Sequence, residues 1–412
     1  MITRARAAFI FIFITVLLDM VAFGVIIPVL PQLIVTLEGG DTASAAGVFG
    51  IFGTAFAFMQ FLSAPFLGAL ADRFGRRPVI LLSNLGLGAD YVVMALAPTI
   101  PILFVGRLIS GITSSSFSTA GAYVADVTPP EKRAARFGML GVAFGIGFII
   151  GPALGGFLAS VDLRAPFWAA AVLSFANFLY GLLILPESLP RERRGRFSPK
   201  AANPIGALRF LGGHRGLVGL AGAAFFAYLA HDSLPVTFVL YAAHRFAFDE
   251  RSIGLALALA GVSSLIVQGG VIGRVVAAVG EYRALLTGLF IGLLGQLLLG
   301  LAPTAPLFLA GIPVWSLFGL ATPSLQAIAS RSVEPTAQGQ LQGALASLRS
   351  VATLITPILY TQTFAAAIGP LAGLGLPGAA FLLSACLLFV SAVIVLRAMP
   401  ERATQAASQR TI

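Results

Sequence analysis

Apolar stretches of about 20 residues or more follow one another along most of this chain. A helix needs about 20 residues to cross the hydrocarbon core of a bilayer. Only 10% of the 412 residues are charged and 58% are hydrophobic, so a water-soluble fold of this size would lack the charges to cover its surface. The sequence therefore predicts an all-α integral membrane protein with twelve transmembrane helices. These predicted helices lie near residues 7–32, 45–69, 78–97, 101–125, 135–158, 165–186, 216–243, 252–277, 283–302, 305–329, 338–367 and 376–397.

An internal repeat relates two parts of the chain at an offset of 205 residues. The sequence Leu-Ala-Pro-Thr-Ile-Pro at 96–101 returns as Leu-Ala-Pro-Thr-Ala-Pro at 301–306. In the same register Pro152 matches Pro357, and several glycines also match. A run of matches in one register predicts two six-helix halves in the same orientation, the parallel-repeat arrangement of one large class of transporters.

The repeat divides the chain into three predicted parts. Residues 1–186 form the first six-helix half, and residues 216–412 form the second. Between them, residues 187–215 are the longest hydrophilic stretch, rich in arginine and containing prolines. We expect this stretch to be a cytoplasmic linker held near anionic lipid headgroups.

The basic residues predict the orientation of the chain in the membrane. Of the 26 lysines and arginines, 21 fall on the side that holds both predicted termini, and three fall on the other side. By the positive-inside rule, both termini are then cytoplasmic. This topology explains the net charge of +10 better than binding to nucleic acid does.

Several kinds of chemistry find no support in the sequence. No glycine-rich phosphate-binding loop ending in Lys-Ser or Lys-Thr is present, so direct coupling to ATP is not expected. The three histidines and one cysteine show no metal-ligand spacing, and no nucleophile with an adjacent base indicates an enzyme. We expect no cofactor and no metal, and the driving force to be an ion gradient or the gradient of the substrate itself.

Five charged residues lie inside the predicted spans, namely Asp19, Asp90, Arg107, Asp232 and Arg349. Each costs about 2.5–3.5 kcal/mol at the centre of a helix, so exposure to lipid is not expected. Two interpretations remain open: buried ion pairs that fix helix packing, such as Asp232 with Arg349, or carboxylates that bind protons and substrate in a central cavity. His231 is either a proton relay for Asp232 or a structural histidine. The candidates for proton and substrate binding are Asp19, Asp90, Arg107, Asp232, His231, Gln296, Gln326 and Arg349.

The loop predicted after the second span reads Gly-Ala-Leu-Ala-Asp-Arg-Phe-Gly-Arg-Arg at residues 68–77. Glycines allow a tight turn between two helices, and the arginines hold the cytoplasmic side. The pattern resembles the signature loop of the major facilitator superfamily, and its copy in the second half has Ala277 in place of Asp72. The resemblance implies a loop that latches the halves during conformational change. Its assigned residues are Gly68, Asp72, Arg73, Gly75, Arg76 and Arg77, together with Asp126 from the segment at 124–133.

A second motif lies in the fifth span, where residues 147–156 read Gly-Phe-Ile-Ile-Gly-Pro-Ala-Leu-Gly-Gly. It resembles the motif typical of antiporters in that superfamily, which implies export. Ordinary glycines for close helix packing are the alternative. The residues of this motif are Gly147, Gly151, Pro152, Gly155 and Gly156.

Further segments narrow the resemblance to the tetracycline/proton antiporter branch. They include Ser-Asn-Leu-Gly at 83–86, Gly-Arg-Leu-Ile-Ser-Gly-Ile-Thr at 106–113 and Gln-Gly-Gln-Leu-Gln-Gly at 338–343. Tetracycline exporters of this branch carry an acidic residue in the ninth helix, where this chain has Gly292 with Gln296 nearby. The seventh helix offers Asp232 instead, for which we predict a proton- or cation-binding role.

The sequence thus predicts a secondary transporter that exports a drug-like or tetracycline-like molecule in exchange for protons. It is expected to act as a multi-pass monomer in a bacterial cytoplasmic membrane, with the small-molecule substrate, protons and the bilayer as its partners. A metabolite or sugar-derivative exporter, or a uniporter without proton coupling, is the alternative. A membrane sensor without transport is disfavoured by the three carboxylates inside the spans.

Overall fold

A computed structural model describes residues 4–114, 116–194, 215–334 and 337–398, and all regular structure in these residues is helical. The first helices are α1 (Arg4–Ile26), α2 (Leu30–Leu37), α3 (Thr42–Phe74), α4 (Arg76–Leu96), α5 (Ile100–Thr113), α6 (Ser116–Val127), α7 (Pro130–Ala159) and α8 (Ala165–Leu183). The later helices are α9 (Arg215–His231), α10 (Ser233–Phe246), α11 (Glu250–Ile266), α12 (Ile272–Val279), α13 (Glu281–Leu301), α14 (Ala305–Ser316), α15 (Ala321–Ser330), α16 (Gln338–Ile368) and α17 (Ala379–Ala398).

The helices account for the predicted membrane spans. In the described residues, 11 helical segments are long and apolar enough to cross a membrane. The remaining predicted span, near 101–125, falls on the two shorter helices α5 and α6. The predicted all-α membrane fold is confirmed, with the difference that several spans consist of two consecutive helices. Residues 195–214 of the predicted linker lie outside the described residues.

Proline explains the break in the seventh span. α9 ends at His231, α10 begins at Ser233, and Asp232 lies in the turn between them. A continuous helix would need an N–H at position 235 to donate to the carbonyl of His231, but Pro235 has no N–H. The chain instead turns with the N–H of Asp232 donating to the carbonyl of Leu229 at 3.3 Å. The break places a carboxylate within an apolar span.

The internal repeat appears in the structure as helices of matching length. α4 and α13 both contain 21 residues and begin 205 residues apart. Each is preceded by a glycine at positive φ, Gly75 at 109° and Gly280 at 81°, a conformation that residues with a Cβ rarely adopt. The expected turn role of Gly68 is wrong, because α3 remains helical through Gly68 as far as Phe74 and Gly75 alone makes the turn.

The described helices pack into two compact units. Residues within 1–202 and 242–262 form the first unit, and residues within 203–241 and 263–412 form the second. In the first unit α1 packs along α7 and α8, and α4 packs on α8 and α5. In the second unit α9 packs on α17 and α16, and α13 packs on α17 and α14.

The sequence predicts α11 in the second half of the chain, whereas residues up to 262 group with the first unit. The reason is close packing on α7 through small residues. A Cβ built on Gly156 would lie 2.3 Å from the carbonyl oxygen of Glu250, and one built on Gly254 would lie 2.5 Å from that of Pro152.

Candidate functional site

Asp232 is the centre of a hydrogen-bonded cluster in the second unit. Its Oδ1 accepts from Nη2 of Arg349 at 2.5 Å and lies 3.1 Å from Nδ1 of His231. Its Oδ2 accepts from the hydroxyl of Thr356 at 3.2 Å, with the hydroxyl of Thr353 at 3.5 Å. The side chain of Asp232 is only 8% exposed, whereas that of Arg349 is 36% exposed. The ion pair that the sequence left open as an alternative is therefore formed.

A cavity of about 330 Å³ lies beside this cluster, between α9, α15 and α16. Its lining includes two residues from one face of α9 and two from one face of α15, each pair spaced three or four positions apart. Four more follow along one face of α16, at the same helical spacing. The cavity thus contains three of the candidates predicted in this half. Its lining residues are Tyr228, His231, Thr322, Gln326, Gln342, Leu345, Ala346 and Arg349.

Gln296 is not among the residues that line this cavity. It is fully buried in α13, and its Nε2 donates to the hydroxyl of Ser233 at 2.7 Å. The hydroxyl of Ser233 in turn donates to that of Ser384 at 3.2 Å. Gln296 therefore joins α13, α10 and α17 inside the second unit, a contact that the sequence does not reveal because it depends on which helices are neighbours.

In the first unit Asp90 is fully buried and Arg107 is partly buried. One oxygen of Asp90, Oδ2, accepts a hydrogen bond from the hydroxyl of Ser110, while Oδ1 has no hydrogen-bond partner among the described residues. The guanidinium carbon of Arg107 lies 4.3 Å from the centre of the Phe56 ring, a cation–π contact. The neighbouring Gly106 makes room for the carboxylate, because a Cβ there would lie 2.8 Å from Oδ1 of Asp90.

Asp19 is held by an asparagine of another helix. Nδ2 of Asn177, in α8, donates to Oδ1 of Asp19 at 2.7 Å and to the carbonyl oxygen of Thr15 at 2.9 Å. Asn177 is fully buried, and its Oδ1 has no partner among the described residues. Sequence reasoning missed this residue, although an asparagine inside an apolar span was a signal that could have indicated it.

The predicted conformational loop forms a polar cluster at the ends of α3 and α4. Nη1 of Arg76 lies 2.6 Å from Oδ1 of Asp72, and its Nε donates to Oδ2 of Asp126 at 3.2 Å. Arg77 donates through Nη2 to the carbonyl of Leu182 at 2.6 Å. Arg73 instead lies over the ring of its neighbour Phe74, 5.2 Å from the ring centre, outside the cluster.

Glu187 completes this cluster and was missed by the sequence analysis. Its Oε1 accepts from the backbone N–H of Arg76 at 2.9 Å, so a carboxylate caps the N-terminus of α4. Ser188 donates its hydroxyl to Asp126 at 3.0 Å. A Cβ at Gly75 would lie 2.1 Å from Oε2 of Glu187, so the start of the linker fits closely against the turn.

Gly147, Gly151 and Gly155 of the fifth-span motif line one face of α7 that packs on α1, whereas Gly156 faces α11. A Cβ built on Gly147 would lie 2.4 Å from Cβ of Met20, and one on Gly155 would lie 2.0 Å from the carbonyl oxygen of Val25. Gly151 approaches Gly24 with the same closeness, at 2.6 Å. The motif therefore brings two backbones together.

A bundle of membrane-spanning helices with an internal repeat and buried charges within its spans defines this chain as a multi-pass membrane transporter. The sequence model of the Major Facilitator Superfamily matches residues 12–357 and 220–411, and the chain belongs to that superfamily.

Named relatives cover nearly the whole chain. The tetracycline resistance protein, class C, of Escherichia coli is 38% identical over 401 residues, which are 97% of this chain and 99% of that protein. The tetracycline resistance protein, class G, of Vibrio anguillarum is 36% identical over 352 residues, covering 85% of this chain and 89% of the relative.

Solved structures share the fold. The human organic anion transporter MFSD10 (TETRAN) is 27% identical with a TM-score of 0.69, and the match covers 95% of this chain and 99% of that chain. The nucleoside transporter NupG has a TM-score of 0.75 at 15% identity, over 95% of this chain and 98% of that chain, which supports the fold alone.

Proposed function

We propose that this transporter is a proton-coupled antiporter that exports a drug-like or tetracycline-like organic molecule by alternating access. The support from comparison is the 38% identity to a protein named for tetracycline resistance, over 97% of the chain. In this proposal the transporter acts as a monomer in a bacterial cytoplasmic membrane. Both termini lie inside, as the 21 basic residues on that side of the predicted topology favour.

The proposal of proton coupling rests on the burial and hydrogen bonding of Asp90. The residue is fully buried, and among the described residues only Oδ2 of its carboxyl group has a hydrogen-bond donor. Leaving a buried polar atom without a partner costs about 1–3 kcal/mol. Protonation would neutralise the carboxylate at this unpaired oxygen, so Oδ1 is an atom on which a proton can reside. Asp232 differs, because donors satisfy both of its oxygens. We therefore assign proton binding to Asp90 first, with Asp19 beside Asn177 as the second carboxyl group of the first unit.

The polar cluster at Gly75 supports a conformational role. Arg76 contacts both Asp72 and Asp126, and its backbone N–H is capped by Glu187. Charge-assisted hydrogen bonds of this kind are short and directional, so they hold one arrangement until broken together. In this proposal the cluster stabilises one state of the transport cycle, and its loss slows cycling more than it weakens substrate binding.

Transport in proteoliposomes tests proton coupling. Labelled tetracycline is offered to the reconstituted protein with and without an imposed pH gradient, and exchange with unlabelled tetracycline is followed at equal pH. Asp90→Asn retains the size of the side chain and removes the titratable group. We expect gradient-driven accumulation to be lost while exchange persists.

The matched control is Asp41→Asn. Asp41 caps α3 by accepting the N–H groups of Ala43 and Ser44, and asparagine caps a helix equally well. The control should accumulate substrate like the parent. Accumulation by Asp90→Asn at the rate of the parent would contradict the assignment. Equal transport by the parent with and without a gradient would favour the uniporter alternative.

A further inference from the structure

The described lining of the cavity in the second unit includes one arginine, Arg349, and no lysine. Arg349 carries five N–H groups in a rigid plane. Its hydrogen bonds to described residues are from Nη2 to Asp232 at 2.5 Å and from Nη1 to the carbonyl of Tyr228 at 3.1 Å. The side chain is 36% exposed and lines the cavity, so N–H groups of the guanidinium remain for a ligand.

The carboxylate of Asp232 is not available to a ligand in the same way. Its Oδ1 faces Arg349 and His231, its Oδ2 accepts from Thr356, and only 8% of its side chain is exposed. Among the described residues, no aspartate or glutamate lines the cavity. Asp232 therefore fixes the guanidinium in place, while the other polar groups of the described lining are amides, hydroxyls and the imidazole of His231. A cationic ligand would meet Arg349 without a carboxylate to bind it.

The rings of Tyr228 and His231 line the cavity, and two further aromatic rings pack behind His231. The ring of His231 lies 6.2 Å from that of Trp315 and 5.9 Å from that of Phe318, between ring centres. Trp315 and Phe318 are stacked at 4.9 Å with an angle of 4° between their planes. Aromatic faces of this kind favour flat apolar ligands.

The geometry points to a binding site for organic anions: the cavity between α9, α15 and α16 takes a substrate with one acidic group and an aromatic or other flat apolar body. The guanidinium of Arg349 binds the acidic group through charge-assisted hydrogen bonds, and the rings of Tyr228 and His231 adjoin the apolar body. The inference rests on the proposed function, because it names the class of molecule that the exporter carries.

Binding to the purified full chain tests the inference without any proton gradient. Trp315 is one of two tryptophans, and Trp168→Phe leaves it as a single fluorescent reporter next to His231. The probes are 4-phenylbutanoate, 4-phenylbutanamide and 4-phenylbutylamine, which share one skeleton and differ in charge. We expect the anion to bind about tenfold or more tighter than the amide, and the amine to bind weakest.

Two variants locate the preference at Arg349. Arg349→Gln alone would leave Asp232 buried without its cation, so it is combined with Asp232→Asn, which removes both charges together. In this double variant the anion and the amide should bind equally. Arg349→Lys retains the charge without the planar fork, and it should retain part of the preference even if the double variant fails to fold.

The matched control combines Arg331→Gln with Glu281→Gln, which like the double variant removes a paired arginine and carboxylate and leaves the net charge unchanged. Arg331 is 75% exposed and pairs with Glu281 at 2.7 Å, and it does not line the cavity. This control should leave the preference unchanged. Equal binding of the three probes to the parent, or tightest binding of the amine, would overturn the inference, and so would an anion preference that survives in the double variant. If the anion preference holds but no pH gradient drives transport, the proposed coupling fails and this site stands.

Discussion

Replacing Gly155 by alanine should destabilise the first unit, although alanine favours helices. A Cβ at this position would lie 2.0 Å from the carbonyl oxygen of Val25, 2.8 Å from its carbonyl carbon and 3.0 Å from its Cα. All three atoms belong to the backbone of α1, so no side chain can rotate away. The two helices would have to separate by about 1.5 Å, because atoms in van der Waals contact are about 3.5 Å apart.

The magnitude follows from two opposing terms. Overpacking at a close helix contact costs about 1–3 kcal/mol. Alanine in place of glycine gains about 1 kcal/mol in helix propensity. The net loss for Gly155→Ala should therefore be about 0–2 kcal/mol, and a double variant with Gly151→Ala should lose more, since a Cβ at 151 would lie 2.6 Å from Cα of Gly24.

Gly138 on the same helix is the matched control. No described atom outside the local helix backbone lies within 4 Å of a Cβ built there, so Gly138→Ala should keep the gain in helix propensity without a clash. Thermal unfolding of both variants in the same detergent, followed by tryptophan fluorescence, should rank Gly138→Ala above the parent and Gly155→Ala below it. A melting temperature of Gly155→Ala at or above that of Gly138→Ala would refute the reasoning.

Two further stability predictions use buried polar and capping groups. Asn84 is fully buried and its amide has no hydrogen-bond partner among the described residues, so Asn84→Leu should raise stability by about 1–3 kcal/mol in the same melting assay. Asn177→Leu should lower it instead, since Asn177 holds Asp19; equal shifts would contradict both assignments. Hydrogen bonds from the hydroxyl and N–H of Ser252 lower the pKa of Asp249, just before α11, below its ordinary value of 3.8. The lowered pKa stabilises the folded chain above pH 3.8, and this stabilisation is lost as the pH falls through the lowered pKa. Asp249→Ala should therefore be less stable than the parent at about pH 7, and the difference should shrink as the pH is lowered below 3.8.

The fold could be predicted from the sequence because lipid offers no hydrogen bonds to the backbone, and a long apolar stretch satisfies its own backbone groups by forming a helix. The register of the repeat also predicted which elements correspond, as the 21-residue helices α4 and α13 show. Gly68 was misplaced because glycine is tolerated inside a helix as well as in a turn. Only the backbone path distinguishes it from Gly75, whose φ is 109°.

The site was harder to predict, because its contacts join residues far apart in the chain. Arg349 and Asp232 were both conspicuous as charges within spans, but their pairing at 2.5 Å depends on how α16 packs beside α9. Asn177 and Glu187 were missed for a different reason. An amide inside a span, such as Asn177, and a carboxylate just after one, such as Glu187, are individually common. Their partners, Asp19 for Asn177 and the N–H of Arg76 for Glu187, become neighbours only after folding.

The turns at Gly75 and Gly280 allow the two copies of the repeat to be compared at one position. Both turns keep a glycine at positive φ before a helix of 21 residues. The first copy has Asp72 one turn before the glycine, and the second has Ala277 there. Both copies therefore have the same backbone turn, while an acidic side chain at this position is present in the first copy alone. The glycine turn is therefore common to both copies, whereas the ion pair beside it is reversed, because Arg76 with Asp126 in the first copy corresponds to Glu281 with Arg331 in the second.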